Sequence, residues 1–162
     1  MTHDTYILTA PEIDAMDGLA KTHFLCPDAR RVNRSLGDRT GLTGLGIHLI
    51  EVAPGDLTTE LHLHHHEDEA VYILSGTAAA IIGETSHEVG PGDFIGYRKS
   101  GAAHTIRNTG GEPLRCLVIG ERRAHDVVDY PQRRKRLYRN EGLPWGLVDH
   151  EAIGSPSAGR KA

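Results

Sequence analysis

Residues 55–76, GDLTTELHLHHHEDEAVYILSG, place three potential metal-ligating side chains within eight positions: His62, His64 and Glu69. Side chains alternate between the two faces of a strand, so the two histidines of an extended segment point the same way and can share a cation. A carboxylate turned into an apolar interior is costly unless it meets a metal or a basic partner. The stretch therefore predicts a metal site, against the alternative that this histidine-rich turn is only a solvated loop.

A second stretch, residues 92–108, GDFIGYRKSGAAHTIRN, carries one further histidine of the same kind. His104 follows a glycine-rich turn and enters a short alternating segment in which it shares a face with Ile106 and Asn108. His104 is therefore a candidate fourth ligand. Three imidazole nitrogens and one carboxylate oxygen, without a thiolate, suit Fe, Mn, Ni, Co or Zn and leave positions open for a substrate.

The two stretches resemble the two sequence motifs of the cupin superfamily. The positions that match the motifs are Gly55, His62, His64, Glu69 and Gly76 in the first and Gly92, Gly101, His104 and Asn108 in the second. Lys99 stands where a proline is usual, and each motif has one extra residue. The resemblance implies an all-β fold, the double-stranded β-helix or jelly-roll barrel. It also implies one divalent transition metal ion held by His62, His64, Glu69 and His104.

Length, composition and charge narrow the class of protein. The chain has 162 residues, enough for one domain, and its 19 Gly and 8 Pro indicate many turns between short strands. A net charge of −4 argues against a nucleic-acid partner. No apolar run is long enough to span a membrane, and the N-terminus has no secretory pattern, so we expect a cytoplasmic protein. Cys26 and Cys116 are far apart and are predicted to be free thiols.

The chain divides into four predicted regions. Residues 1–35 are expected to form an N-terminal arm with a brief helix beginning near Pro11, and residues 36–122 the cupin β-barrel. Residues 123–153 are expected to form an extension packed on the barrel, and residues 154–162 a disordered tail. Because the N-terminal arms of cupins often pack across a second subunit, the resemblance also implies a homodimer.

Two enzyme reactions and one binding role remain open for such a site. The metal could polarise a carbonyl of a sugar or sugar phosphate while a base moves a proton, as in an isomerase or epimerase. Alternatively, iron could bind substrate and dioxygen in an Fe(II)-dependent dioxygenase, or the domain could be a non-enzymatic module that binds a small molecule. The element from Asp126 to Pro131 resembles that of a subset of small bacterial cupins, some of which are described as sugar phosphate isomerases. We therefore expect a small polar substrate, with isomerisation ahead of oxygenation.

Several residues outside the ligand set have candidate roles. His66 continues the alternation of His62 and His64 and is a candidate general base, although a surface-loop histidine is the simpler interpretation. Arg98 and Lys99 precede the second motif and could bind a phosphate, against the alternative of a solvated turn. His48, alone on an apolar strand, is expected to be a hydrogen-bonded core residue. The basic run 133–136 is expected to be a solvated face.

Overall fold

The computed structural model describes residues 5–159, and strands dominate it. The two short helices are α1 (Ala10–Asp14) and α2 (Leu36–Arg39), and single 3-10 turns cover Pro131–Arg133 and His150–Ala152. The strands are β1 (Leu19–His23), β2 (Cys26–Ser35), β3 (Leu45–Val52), β4 (Leu63–His64), β5 (Glu69–Ser75), β6 (Ala78–Ile82), β7 (Thr85–Val89), β8 (Phe94–Tyr97), β9 (His104–Asn108), β10 (Leu114–Glu121), β11 (His125–Tyr130), β12 (Lys135–Asn140) and β13 (Gly146–Asp149). The predicted all-β class is confirmed.

Three antiparallel sheets build the molecule. Six strands pair in the order β1-β2-β3-β10-β5-β8, three in the order β7-β6-β9, and four in the order β13-β12-β11-β4. The main core joins the first two sheets, because alternate residues of their strands turn inward. Its buried members are Ile50, Val52, Val71, Ile73, Ala78, Ala80, Ile95, Tyr97, Ile106, Leu114 and Cys116. This arrangement is the predicted jelly-roll barrel.

The N-terminal region contributes more to the barrel than the sequence predicts. Within the segment expected to be an arm, β1 and β2 form a hairpin, and β2 pairs with β3 so that Asn33 lies opposite Ile50. The hairpin extends the sheet beyond the edge that β3 would otherwise expose. Residues 5–18 lie outside the sheet. Their helix α1 has Pro11 in its first turn, as predicted, and the Glu12 carboxylate accepts a hydrogen bond from the Thr9 backbone N–H at 2.7 Å.

The C-terminal extension is a small sheet attached beside the histidine-rich segment. Strand β11 pairs with β4, which places Val128 opposite His64. A second, smaller core of Val128, Tyr130 and Leu137 packs against Leu25. Residues 154–159 contain no helix or strand and are exposed, and residues 160–162 of the predicted disordered tail lie outside the described residues. The extension therefore packs directly against the strand that carries His64.

The basic run is held by carboxylates rather than left free. The four ion pairs join Arg133 to Glu60, Arg134 to Glu151, Lys135 to Asp149 and Arg136 to Asp129. These cations remain at least partly exposed, so the expected solvated face also carries three ion pairs within the extension and one, Arg133 to Glu60, that joins the extension to the barrel region. Cys26 and Cys116 are buried free thiols, as predicted. No helix within residues 5–159 is long and apolar enough to cross a membrane.

Stability should fall in acid through Asp129. Its hydrogen bond from Arg136, assisted by those from His65 and His150, holds the pKa of Asp129 below its usual value despite burial. A carboxyl group with a depressed folded-state pKa stabilises the protein above its unfolded-state pKa of about 3.9 and loses that contribution as pH falls. We expect the contribution of Asp129 to the thermal unfolding midpoint to be constant above about pH 5 and to decline below about pH 4. Asp129→Asn should lower the midpoint at pH 7 and flatten the decline; an unchanged acid profile would contradict this account.

Candidate metal centre and its cavity

Two neighbouring strand segments bring the histidines together. His62 and His104 face each other across an antiparallel bridge, with the His104 backbone N–H donating to the His62 carbonyl at 2.8 Å. The Nε2 atoms of His62 and His64 lie 3.2 Å apart. Glu69 begins β5, and its Oε1 lies 3.8 Å from His104 Nε2. His62, Glu69 and His104 therefore offer ligand atoms within 4.8 Å of one another, and His64 adjoins this group through His62.

The orientation of each imidazole leaves its Nε2 free to bind a cation. Each Nδ1 donates to an oxygen: His62 to the Glu60 carbonyl at 2.9 Å, His104 to the Ala102 carbonyl at 3.3 Å, and His64 to Asp126 Oδ2 at 2.7 Å. A proton on Nδ1 places the lone pair of the neutral ring on Nε2. The ring of Tyr97 stacks on His104 with centroids 3.6 Å apart and fixes that ring further. Such outer partners are typical of metal-binding histidines.

The electrostatics of the cluster suit a cation. Burial, with the neighbouring His104 and His64, lowers the pKa of His62 to about 3 against the opposing charge of Glu69, so this imidazole is neutral at physiological pH. Burial alone would raise the pKa of Glu69, but the interaction with His104 outweighs burial and lowers it to about 2. His104 Nε2 is buried without a hydrogen-bond partner among the described residues. A buried nitrogen lone pair without a partner fits a metal ion at this point.

A second group of ligand-type residues lies beside the first. His64, Glu67 and Asp126 also approach one another closely enough to be considered as a metal site. However, Arg139 Nη2 donates to both carboxylates and lies 2.6 Å from Asp126 Oδ2. A guanidinium between two carboxylates already supplies the positive charge that a metal would bring. The second group is therefore an ion-pair network that supports His64, and His62, His64, Glu69 and His104 are the candidate ligand set.

The candidate ligands open onto a cavity of about 410 Å³. Two glycines make room beside Glu69: Gly46 on β3 and Gly120 on β10 lie opposite each other, and Gly120 pairs with Glu69 on the other side. The lining also includes the carboxylates Glu67, Asp68 and Glu121 and a set of cationic or aromatic residues, namely Lys21, Arg31, Arg122, Arg139, His23, Phe24, Tyr97, Tyr130 and Trp145. The volume suits a small polar molecule rather than a polymer.

Three residues with predicted roles lie away from this cavity. The described residues that line it do not include His66, Arg98 or Lys99, and all three of these are exposed. Strand β4 ends at His64, so the alternation that would turn His66 inward stops two residues before it. The backbone N–H of His66 instead donates to Asp126 Oδ1 at 3.1 Å. His48 is hydrogen-bonded as expected, with its Nδ1 3.2 Å from Asn33 Nδ2, but it lines the cavity and is not part of the main core.

Several cavity residues were not assigned to the site from sequence. Asp126 fixes His64, while Arg31 and Tyr130 line the cavity. The resemblance of the element 126–131 to that of small bacterial cupins singled out Asp126 and Tyr130 without indicating what they contact. Arg31 has no such signal, because the sequence predicts that its segment is an arm outside the barrel.

A jelly-roll barrel with three oriented imidazoles and a carboxylate in its cavity defines a class of β-barrel protein with a candidate mononuclear metal centre. The chain belongs to the cupin superfamily: residues 48–120 match the family model described as "Cupin domain". This match covers both motifs and the strands between them.

Two solved structures and one curated protein are similar to this chain. A "Putative sugar phosphate isomerase" from Acidithiobacillus ferrooxidans is 53% identical, covers 93% of this chain and 96% of its own, and has a TM-score of 0.90. A "sugar phosphate isomerase from a cupin superfamily" of Silicibacter pomeroyi is 21% identical with a TM-score of 0.77, covers 89% of this chain and 94% of its own, and supports the fold alone. Mannose-1-phosphate guanylyltransferase 2 of Escherichia coli is 33% identical over 94 residues, which are 57% of this chain and 18% of that protein.

Proposed function

We propose that the protein is a metal-dependent isomerase or epimerase that acts on a sugar phosphate. The observation that carries the proposal is the convergence of three histidine Nε2 atoms and the Glu69 carboxylate at the cavity. The name of the 53% identical protein from A. ferrooxidans supports the same substrate class.

The chain's residues divide into those that would hold the ion and those that orient them. His62, His64, Glu69 and His104 are the proposed ligands of one divalent ion, which could be Fe, Mn, Ni, Co or Zn. When bound, the ion would act as a Lewis acid on a substrate oxygen. Asp126 holds the His64 ring through Nδ1 and keeps its Nε2 directed at the same point.

Tyr130 is the proposed hydrogen-bond donor to the substrate. It lines the cavity, and its ring lies 6.3 Å from that of His62 between centroids. Burial raises the pKa of Tyr130 to about 12, so the hydroxyl is protonated at neutral pH and can donate to a substrate oxygen. His66, the candidate general base of the sequence analysis, is exposed and does not line the cavity.

The proposal is tested by incubating metal-loaded protein with aldose and ketose phosphates in D₂O and following C–H signals by proton NMR. Isomerisation or epimerisation by proton transfer should exchange a carbon-bound proton for deuterium, whichever product forms. His64→Ala should stop the exchange by removing the ion. Gly120→Leu should stop it with the ion in place, because a side chain there enters open space within the cavity. Oxygen consumption by iron-loaded protein without deuterium exchange would contradict the proposal and favour a dioxygenase.

We also propose that the protein is a cytoplasmic homodimer. Its dimer surface would be the outer face of β5 and β8, where Tyr72 pairs with Phe94. Tyr72, Leu74 and Phe94 are 41%, 44% and 67% exposed, which is unusual for a run of large apolar side chains on one face. Sedimentation should give a dimer that Phe94→Glu converts to a monomer; a monomeric wild-type protein would contradict the proposal.

A further inference from the structure

We propose that the cavity wall formed by β1 and β2 is an anion subsite, in which Arg31 and Lys21 bind the phosphate of the substrate. The metal centre would then bind the sugar end. This inference rests on the proposed function and assigns its phosphate specificity to two residues of the N-terminal hairpin. Arg98 and Lys99, the candidates for this role in the sequence analysis, are not among the described residues that line the cavity.

Arg31 is a half-buried guanidinium without a carboxylate partner in the described part of the chain. It lines the cavity, and its Nη1 donates to the Thr58 carbonyl at 2.5 Å. The Arg31 Nε atom is buried and has no hydrogen-bond partner among the described residues. No carboxylate of the described residues lies within ion-pair distance of the guanidinium. Burying a charged group is costly unless it is paired. A bound anion would supply the missing partner in the two-pronged geometry that arginine favours for phosphate.

Lys21 adds a second positive charge on the same face. It lies directly opposite Arg31 in the β1–β2 register, so both side chains project from the same side of the hairpin. Lys21 also lines the cavity, is exposed, and has no carboxylate of the described residues within ion-pair distance. Two adjacent like charges repel each other, and a phosphate dianion would remove that repulsion.

The other arginines that line the cavity are already neutralised. Arg122 Nη1 lies 2.5 Å from Asp38 Oδ1, and Arg139 pairs with Glu67 and Asp126. Among the described lining residues, positive charge that is free for a ligand is therefore concentrated at Lys21 and Arg31. His48 contributes a further donor: its Nδ1 accepts from the Asn33 amide at 3.2 Å, which leaves the proton of the neutral ring on Nε2. His48 and Asn33 also line the cavity.

The proposed anion subsite and the candidate metal ligand Glu69 lie on different strands of the same sheet. Arg31 lies on β2 and Glu69 on β5, with β3 and β10 between them. The two residues are also offset along the strands, because β2 pairs with the second half of β3, with Val32 opposite Glu51, whereas Glu69 lies beside Gly120, which pairs with Gly46 near the start of β3. Both side chains nevertheless line the same cavity, and the charge of Glu69 opposes the burial that lowers the pKa of Arg31. A cavity of about 410 Å³ that both groups line can hold a sugar phosphate.

The subsite is tested by titrating inorganic phosphate into the metal-free His64→Ala protein by calorimetry, so that phosphate cannot bind through the ion. We expect Arg31→Gln to weaken binding by about tenfold or more and Lys21→Gln by about threefold. Arg39→Gln is the matched control, because Arg39 is exposed on α2 and does not line the cavity, and it should bind like the parent. Lys21→Gln removes no ion pair found among the described residues, so it tests the subsite even if Arg31→Gln does not fold.

The outcomes separate the subsite from the proposed reaction. Phosphate binding that is absent, or that Arg31→Gln and Lys21→Gln leave unchanged, would overturn the subsite whatever the deuterium exchange shows. If Arg98→Gln weakens phosphate binding instead, the proposed subsite is also overturned, and the anion site lies at the loop before β9. Arg31-dependent phosphate binding without deuterium exchange would support the subsite and contradict the isomerase.

Discussion

His64→Ala should remove most of the bound metal while the barrel stays folded. His64 supplies one of the three converging Nε2 atoms, and its side chain is not part of the main apolar core. Losing a ligand should lower metal affinity by more than the roughly 10–100-fold typical of losing an outer partner. Elemental analysis of protein purified without an affinity tag would measure the metal content, and circular dichroism would check the fold.

His65→Ala is the matched control in the neighbouring position. The His65 ring turns away from the ligands, and its Nε2 lies 2.9 Å from Asp129 Oδ2. We expect its metal content to stay near that of the wild type, with some loss of stability because Asp129 loses one partner. A metal loss as large as that of His64→Ala would mean that the assigned register of the histidine segment is shifted by one residue.

Asp126→Asn should weaken metal binding by about 10–100-fold without removing any ligand. Both Asp126 oxygens accept hydrogen bonds, Oδ2 from His64 and Arg139 and Oδ1 from the His66 backbone. An asparagine must turn its NH₂ group toward one set of these donors. If the NH₂ group faces His64, the ring is driven to the tautomer whose proton lies on Nε2, which cannot bind metal. A competitive chelator titration would measure the affinity.

Asp129→Asn separates this positioning effect from a general loss of stability. Asp129 lies on the same strand and accepts from Arg136, His65 and His150, none of which is a candidate ligand. It should therefore lower the unfolding temperature while metal affinity changes by less than about threefold. Equal losses of affinity in the two variants would show that Asp126 acts only through the stability of the extension.

The proximity of the four candidate ligands could be predicted because its information is local. His62 and His64 are two residues apart, and strand alternation alone places them on one side. Glu69 begins the returning strand, and His104 enters the strand that bridges to His62. The resemblance to the cupin motifs assigns both stretches to one metal site, and the jelly-roll barrel follows from the same resemblance.

The surroundings of the site depend on contacts between distant parts of the chain. Asp126 is 62 positions from His64, and they meet because β11 pairs with β4, which no local pattern specifies. Arg31 enters the cavity because the β1–β2 hairpin joins the barrel sheet. His66 shows the limit of alternation, since it projects from a loop after β4 has ended, where side-chain direction no longer follows a period of two.

Anomalous diffraction from a crystal of metal-loaded protein would test the central claim most directly, because it locates the ion among its ligands. We expect one peak at about 2.0–2.2 Å from Nε2 of His62, His64 and His104 and from a Glu69 oxygen. A peak between His64, Glu67 and Asp126, or none in protein shown by elemental analysis to contain metal, would contradict the proposed centre.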